Sequence, residues 1–203
     1  MPTATQSPPE VDGRARRRAQ SLDRAVDAVL DLIESGVPAP TAQQIAERSG
    51  ISIRTVFRLT EDVETLLASA VQRQSERVAP LYVTLSTEGS PSQRINALVK
   101  NRSRIFEAIA PVRRVGEHLA LRSPHVAAGL ERQHRVLRRQ IAALFEWELA
   151  TMAAPERKDA LNAADVVGGW ETWDQLRRLK GLSVTESARV VRGLLDRIFS
   201  DND

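Results

Sequence analysis

The side chains with the clearest chemistry in this sequence are arginines grouped at two places. One run reads Arg14-Ala15-Arg16-Arg17-Arg18, and Arg48, Arg54 and Arg58 form a second group. An arginine guanidinium stays charged and carries five N–H donors in a planar fork, so it pairs with phosphate oxygens and with the edge of guanine. The two groups therefore suggest polyanion binding, although a charge run is also an ordinary solvated surface.

The composition of the whole chain narrows the classes of protein. Among 203 residues, 29 Lys and Arg balance 26 Asp and Glu, and the net charge is only +3. Because this sum is small, the positions of the arginines carry more information than their number. The chain has no cysteine, which excludes disulfides, thiolate zinc sites and cysteine nucleophiles. No apolar run reaches the ~18 residues of a membrane span, so we expect a cytoplasmic protein with no membrane partner.

Two short helices must position the second arginine group. Thr41 is a suitable N-cap for a helix from Ala42 to about Ser49, and Ser52 for another that runs to about Leu59. Gly50 suits a turn too tight for a residue with a Cβ. Two short helices joined by such a turn predict a helix-turn-helix, whose second helix enters the major groove of DNA.

The outward side chains of that second helix are of types that read DNA. Ser52, Arg54, Thr55 and Arg58 face outward, with Arg48 beside them at the end of the preceding helix. Arginine pairs with guanine, and threonine reaches a phosphate or a thymine methyl. The alternative is an ordinary helical hairpin with solvated arginines, which has the same spacing.

The remainder of the sequence also predicts helices, so the expected fold class is all-α. A 3.6-residue apolar repeat begins at Ser21, proposed as an N-cap, and ends at Gly36. Thr60 is the expected cap of a fourth helix that continues toward Val78. Further helices are predicted at 92–109, 112–122, 124–152, 157–179 and 184–200, with breaks at Pro111, Pro124, Pro155 and Gly181.

This pattern divides the chain into three parts. Residues 1–20 are predicted to be a disordered basic arm, residues 21–66 a helix-turn-helix DNA-binding domain, and residues 67–203 a helical domain for dimerisation and ligand binding. Arms rich in arginine reach a neighbouring minor groove or phosphates.

Residues 22–71 resemble the N-terminal domain of TetR-type (tetracycline-repressor-like) transcriptional regulators. The matching stretch is TAQQIAERSGISIRTVFR, from Thr41 to Arg58, after a helix that ends at Gly36. The resemblance implies a ligand-responsive regulator, most often a repressor, that binds a palindromic double-stranded DNA operator as a homodimer. It also implies a helical C-terminal body that dimerises and holds a ligand.

The resemblance further implies roles for single residues. Thr41 and Ser52 fall where the family places hydroxyls against phosphate, and Arg54 and Thr55 fall on its base-reading surface. Phe57 stands where the family usually has a tyrosine whose hydroxyl contacts a phosphate. The candidate DNA contacts are Arg16, Arg17, Arg18, Thr41, Arg48, Ser52, Ile53, Arg54, Thr55, Phe57 and Arg58.

Two more positions depart from the family. Thr60 replaces its next aromatic residue, and Val63 replaces its usual phosphate-binding lysine. These departures remove contacts that the family makes to the phosphate backbone of DNA. An alternative function is therefore a helical small-molecule or protein-binding module with a degenerate helix-turn-helix that does not read DNA. A third is a regulator without a ligand, whose body only dimerises.

The last two predicted helices have the pattern of an association surface. Gly168-Gly169 lies inside the segment 157–179, and a glycine costs ~1 kcal/mol in a helix interior, so the pair suggests a closely packed second backbone. Two such hairpins from two subunits would form a four-helix bundle, although the same stripes would also complete a monomer core. The candidate interface residues are Val166, Trp173, Val191, Leu194, Leu195 and Ile198.

Candidates for a small apolar ligand are aromatic and apolar residues of the body with a polar neighbour. They are Phe106, His118, Leu144, Trp147, Met152 and Trp170, each of which also suits ordinary core packing. His118, His125 and His134 do not have the spacing of metal ligands, so no metal or other cofactor is expected. The sequence lacks Gly-rich phosphate loops, HExxH and G-x-S-x-G, and we expect no enzyme.

Overall fold

The structure, a computed structural model, describes residues 11–60 and 62–200, and within these ranges every regular element is a helix. The predicted all-α class is thereby confirmed. The chain forms two compact units, which divide between Gln74 and Ser75. The division lies inside a single helix, Val63–Val78, and so does the domain boundary predicted after residue 66.

The N-terminal unit contains α1 (Val11–Glu34), α2 (Ala42–Ser49), α3 (Ile53–Leu59) and most of α4 (Val63–Val78). Its core forms because the apolar stripe of α1 faces the inner sides of the three helices that follow. The side chains buried there include Ala25, Val26, Val29, Leu30, Ile33, Ile45, Ala46, Val56, Leu59, Leu66 and Ala70.

Helix α1 begins at Val11, so the prediction of a disordered arm is wrong for residues 11–20; residues 1–10 lie outside the described part. Arginine and alanine are good helix formers, and the arginine side chains extend into solvent. Ser21 is consequently an interior residue of α1 and not its N-cap, since its hydroxyl donates to the carbonyl of Arg17 at 2.9 Å.

The two helices α2 and α3 have the bounds expected from the sequence. Thr41 caps α2 in a reciprocal arrangement with Gln44, and Ser52 caps α3 by accepting from the N–H of Thr55. Gly50 ends α2 in the left-handed conformation, at φ 65°. Arg24 of α1 fastens the turn, because its Nη2 donates to the carbonyls of Ser49 at 2.5 Å and Gly50 at 3.1 Å.

Replacement of Gly50 by alanine is expected to destabilise the protein by about 1–2 kcal/mol, because an L-residue is strained at this φ. Its Cβ would also lie 2.8 Å from Arg24 Nη2. The matched control is Gly129→Ala in a helix interior, where the new Cβ meets only Arg132 Nη2 at an ordinary 3.7 Å. That change is expected to stabilise by about 0.5–1 kcal/mol. Urea denaturation followed by circular dichroism measures both, and the same sign for the two variants would contradict the prediction.

The start of α4 differs from expectation. Asp62 is its cap, because its Oδ1 accepts from the N–H of Thr65 at 2.8 Å. This hydrogen bond lowers the pKa of Asp62. Thr60, the predicted cap, instead ends α3 in an extended conformation. An acceptor placed directly before the first turn satisfies its free N–H groups. Further along α4, Arg73 donates to Asp23 and Asp27 of α1 and ties the two helices together.

The C-terminal unit begins with a 3₁₀ turn (Ala79–Leu81) and continues with α5 (Pro91–Ala120), α6 (Pro124–Leu144), α7 (Glu146–Thr151), α8 (Ala154–Val167), α9 (Trp170–Asp174) and α10 (Val184–Ser200). A π-helical turn, Gln175–Leu179, extends α9. Helix α5 is the centre of the unit: it contacts α6, α9 and α10, and it presents Ile95, Leu98, Ile105, Phe106 and Ile109 to the core.

Four of the five helices predicted for this unit have wrong bounds. Helix α5 continues through Pro111, because buried side chains on both sides of the proline hold the helix against its neighbours. The segment 124–152 breaks at Phe145, whose ring is fully buried and stacks on Phe199 with centroids 3.9 Å apart. The segment 157–179 starts earlier, with Pro155 in its first turn, and breaks at the glycine pair.

Gly168 and Gly169 separate α8 from α9. The prediction that they lie inside one long helix, where a second backbone packs closely against them, is therefore wrong. A Cβ on Gly168 would lie 3.0 Å from the carbonyl oxygen of Ala164, and one on Gly169 would lie 2.9 Å from that of Asp165. The crowded backbone is therefore the last turn of α8 itself. A side chain at Gly169 would therefore force the carbonyl of Asp165 to move.

Candidate nucleic-acid interface

A groove in the N-terminal unit lies between the first turns of α1 and one side of α3. It has a volume of about 800 Å³. Its walls carry guanidinium and hydroxyl groups together with a few apolar side chains, and the lining residues are Arg14, Arg17, Arg18, Ser21, Ile51, Ser52, Thr55, Arg58 and Leu59. A concave surface lined by four arginines favours an anionic partner.

The helical start of α1 places its arginines on this groove. Arg14, Arg17, Arg18 and Ser21 have the spacing i, i+3, i+4, i+7, which is one face of a helix. Arg17 is held by a hydrogen bond from its Nε to the carbonyl of Gly13 at 3.2 Å. Arg18 Nη2 approaches the carbonyl of Leu59, at the end of α3, at 3.5 Å, where a helix C-terminus favours a cation.

The face of α3 outside the groove is open to solvent. Arg54 is exposed, and so are two apolar side chains, Ile53 at 45% and Phe57 at 59% of full exposure. Within the described residues of the N-terminal unit, these two apolar side chains remain exposed to water beside an arginine. Such a mixture of guanidinium and apolar groups on a short helix suits the edges of base pairs and the methyl groups of thymine.

The two hydroxyls that the resemblance assigns to phosphate are already part of helix caps. Thr41 Oγ1 accepts from the N–H of Gln44 at 3.2 Å and lies 3.1 Å from Gln44 Oε1. Ser52 Oγ lies 2.8 Å from Thr55 Oγ1 and accepts from the N–H of Thr55 at 3.2 Å. Both caps are exposed, and any contact to a phosphate would be made beside these bonds.

The candidate DNA contacts thus fall into two sets. Arg17, Arg18, Ser52, Thr55 and Arg58 line the groove together. Outside the groove, the exposed members are Arg16, Thr41, Arg48, Ile53, Arg54 and Phe57. Four lining residues, Arg14, Ser21, Ile51 and Leu59, were not among the candidates predicted from the sequence. A helical repeat through Arg14, Arg17, Arg18 and Ser21 was the signal that could have added Arg14 and Ser21.

Comparison with solved structures places the fold among bacterial regulators. A transcriptional regulator from a Rhodococcus species is 17% identical with a TM-score of 0.67, covering 89% of this chain and 96% of its own. A tetR-family transcriptional regulator from Streptomyces coelicolor is 19% identical with a TM-score of 0.64, covering 91% of this chain and 79% of its own. A putative TetR-family transcriptional regulator from Mesorhizobium loti is 16% identical with a TM-score of 0.56, covering 93% of this chain and 97% of its own.

The chain therefore has the fold of TetR-family transcriptional regulators. No protein-family model matches the sequence, and no curated protein sequence matches it. The likeness accordingly lies in the arrangement of the helices. The predicted resemblance, made on 22–71, extends at this level over about 90% of the chain.

The C-terminal unit does not bring the ligand candidates together. Phe106 and Trp170 touch edge to face, with centroids 6.0 Å apart, and both line a cavity of about 20 Å³. The other four lie away from its lining, because Leu144 and Met152 are packed in the core, Trp147 is 78% exposed, and exposed His118 only approaches the carbonyl of Arg114. Among the described residues no group of three His, Asp or Glu side chains could hold a metal ion.

Half of the interface candidates belong to the core of one protomer. Trp173, Val191 and Leu195 are no more than 3% exposed, so they are corrected to core residues: α9 and α10 pack their apolar faces onto α5. Val166 is 69% exposed, while Leu194 and Ile198 are half-buried on α10. No described helix has the length and apolarity needed to cross a bilayer.

Proposed function

We propose that this protein is a DNA-binding transcriptional regulator, acting as a repressor, that binds a palindromic operator as a homodimer and responds to a small ligand. The observation that carries the proposal is the exposed face of α3, where Arg54 stands between Ile53 and Phe57 beside a groove lined by arginines. In a helix-turn-helix, the second helix reads base edges, while side chains of the neighbouring elements contact the phosphates.

The homodimer follows from how such a motif reads DNA. One α3 covers only a few base pairs, and a symmetric pair of motifs reads two half-sites one helical turn apart, at ~34–36 Å. Leu194 and Ile198 on α10 and exposed Val166 on α8 remain the proposed contact surface between two bodies. A ligand in the body would change the separation of the two reading helices and release the operator.

Selection of bound DNA from a random pool tests this proposal. We expect an inverted repeat with half-site centres about 10 base pairs apart, bound by the full chain as a dimer. Affinity for it should exceed that for random DNA by at least about 10³-fold. Recovery of no consensus, or equal competition by random DNA, would contradict the proposal.

A second candidate is a helical binding module whose helix-turn-helix no longer reads DNA. Phe57 and Val63 favour it, because they lack the hydroxyl and the ammonium group that the family uses on phosphates. This candidate predicts weak, salt-sensitive binding without sequence preference, and the same selection experiment distinguishes the two.

Replacement of Arg17 by alanine is expected to weaken binding to operator and to random DNA by the same factor. Arg17 lines the groove on α1 and is expected to neutralise one phosphate, so the slope of log K against log [salt] should fall in magnitude by about 0.9 per half-site. Arg139→Ala, at an exposed arginine of α6, is the control and should leave the slope unchanged. Fluorescence anisotropy at several salt concentrations measures it, and a loss confined to the operator would show that Arg17 reads bases.

A further inference from the structure

The C-terminal unit buries one arginine without a counter-ion. Arg102 on α5 is 1% exposed, and among the described residues no carboxylate lies within ion-pair distance of it. Its Nη2 donates to the carbonyl of Leu137 at 2.8 Å, while Nε and Nη1 have no hydrogen-bond partner in the described part of the chain. A buried cation with no counter-ion and two unused donors is costly and calls for an explanation.

This guanidinium is bonded to a residue that lines the 20 Å³ cavity, although Arg102 itself is not part of the lining. Leu137, whose carbonyl accepts from Arg102, lines the cavity, and so do Tyr82 and Asp165, the two ionisable residues that oppose the lowering of the Arg102 pKa by burial. The hydroxyl of Tyr82 is also buried without a partner. One unused hydrogen-bond position, on the phenol, thus belongs to the cavity lining, and two more belong to a cation that is bonded to another lining residue.

The other charged groups at the cavity are already compensated. Asp165 accepts from Arg138 Nη1 at 2.8 Å and lies 3.2 Å from His134 Nε2. Arg113 pairs with Glu117 at 3.1 Å and approaches Glu171 at 3.6 Å. Burial lowers the pKa of Arg102 to about 10, so Arg102 still carries its charge at neutral pH.

We infer that Arg102 and Tyr82 bind the carboxylate of a small organic acid, with its apolar remainder against Phe106 and Trp170. The cavity of about 20 Å³ accommodates one oxygen-sized group, so the rest of the acid must open space between the two aromatic rings. This inference rests on the proposed function, since it names the class of the ligand, and it replaces the purely apolar ligand expected from the sequence.

The position of Tyr82 connects the proposed ligand site with the end of α4. Tyr82 follows the 3₁₀ turn that directly continues α4, the helix in which the division between the two units falls. A ligand that draws the Tyr82 hydroxyl toward its carboxylate would therefore act on the end of α4. Asn101 of α5 holds the same turn, because its Nδ2 donates to the carbonyl of Leu81 at 2.9 Å.

The test measures the melting temperature of the full chain with acetate, butyrate, benzoate and phenylacetate, each against its neutral amide. Sodium chloride at equal ionic strength is the reference. We expect at least one acid to raise Tm by about 2 °C or more at saturating concentration and its amide to leave Tm unchanged. No response to any of the four acids, or equal responses to acid, amide and chloride, would overturn the inference.

Variants at the site make the test specific. Arg102→Met should weaken binding of the responsive acid about 10–150-fold, the range for charge-assisted hydrogen bonds, without lowering the Tm of the ligand-free protein. The matched control is Arg104→Met, at an exposed arginine of the same helix, and it should retain the response. Tyr82→Phe, which removes only the hydroxyl, should weaken binding several-fold and decides the matter if Arg102→Met fails to fold.

These outcomes are independent of the proposed DNA binding, because every measurement is made without DNA. A carboxylate response in a protein that selects no DNA sequence would leave the ligand site standing and remove the regulator. A selected operator would support the regulator. If the carboxylate response is then absent, or persists in Arg102→Met, the proposed ligand site is wrong.

Discussion

An Arg54→Ala variant is expected to bind the selected operator about 5–150-fold more weakly than the parent chain. This range corresponds to the ~1–3 kcal/mol that a good bidentate contact contributes to discrimination between bases. Arg54 is exposed on the first turn of α3 and has no hydrogen-bond or ion-pair partner in the described part of the chain. Its guanidinium is therefore free to pair with O6 and N7 of a guanine, and the loss should be confined to one base pair in each half-site.

The conservative variant separates base reading from charge. Arg54→Lys keeps the positive charge but loses the planar fork, so it should retain the salt slope of the parent and still lose discrimination at that base pair. Competition assays with operators changed at single positions measure both effects. If Arg54→Ala lowers the affinity for operator and random DNA equally, Arg54 contacts phosphate and the base-reading role is wrong.

An Arg94→Met variant is expected to lose about 3–5 kcal/mol of unfolding free energy, the cost of breaking a buried ion pair on one side. Arg94 on α5 and Glu148 on α7 are only 8% and 12% exposed. The guanidinium donates to both carboxylate oxygens and, through Nη1, to the carbonyl of Leu144 at 2.5 Å. It also lies 5.5 Å from the centre of the Phe145 ring. The substitution leaves a carboxylate and a carbonyl buried without their donor.

The paired change shows whether the missing partner is the cause. Arg94→Met combined with Glu148→Met removes both charges, and it should recover most of the lost stability because an apolar pair of similar volume fills the site. Urea denaturation of the full chain gives the free energies, with Arg104→Met as the exposed control, expected within about 0.5 kcal/mol of the parent. A double variant no more stable than Arg94→Met would show that the arginine acts through packing alone.

The local pattern predicted the helix-turn-helix closely. The bounds of α2 and α3, their caps at Thr41 and Ser52, and the left-handed Gly50 all follow from short-range rules, because each depends on residues within four positions. The ends of longer helices were less predictable. Helix α5 continues through Pro111. The break at Phe145 is set by the stacking of its ring on Phe199, a contact between residues far apart in the sequence.

The same distinction holds for the candidate sites. Exposure of Arg54 and Arg58 on α3 was predicted from helical spacing, whereas the stripes of α9 and α10 could equally have met a second subunit or their own core. Their burial against α5 resolved that ambiguity for Trp173, Val191 and Leu195. Arg102 gave no signal, because a single arginine in a helix rich in arginines looks like surface.

The sequence by itself determined the all-α class, the motif and the side chains that its second helix presents, since periodicity and capping are properties of neighbouring residues. Tertiary structure alone decided which arginines share a groove with α3, which apolar stripes are core, and which cation is buried. Those outcomes depend on which helix faces pack together, and burial of a charge is a property of everything that surrounds it, as Arg102, 1% exposed and bonded to the carbonyl of Leu137, illustrates.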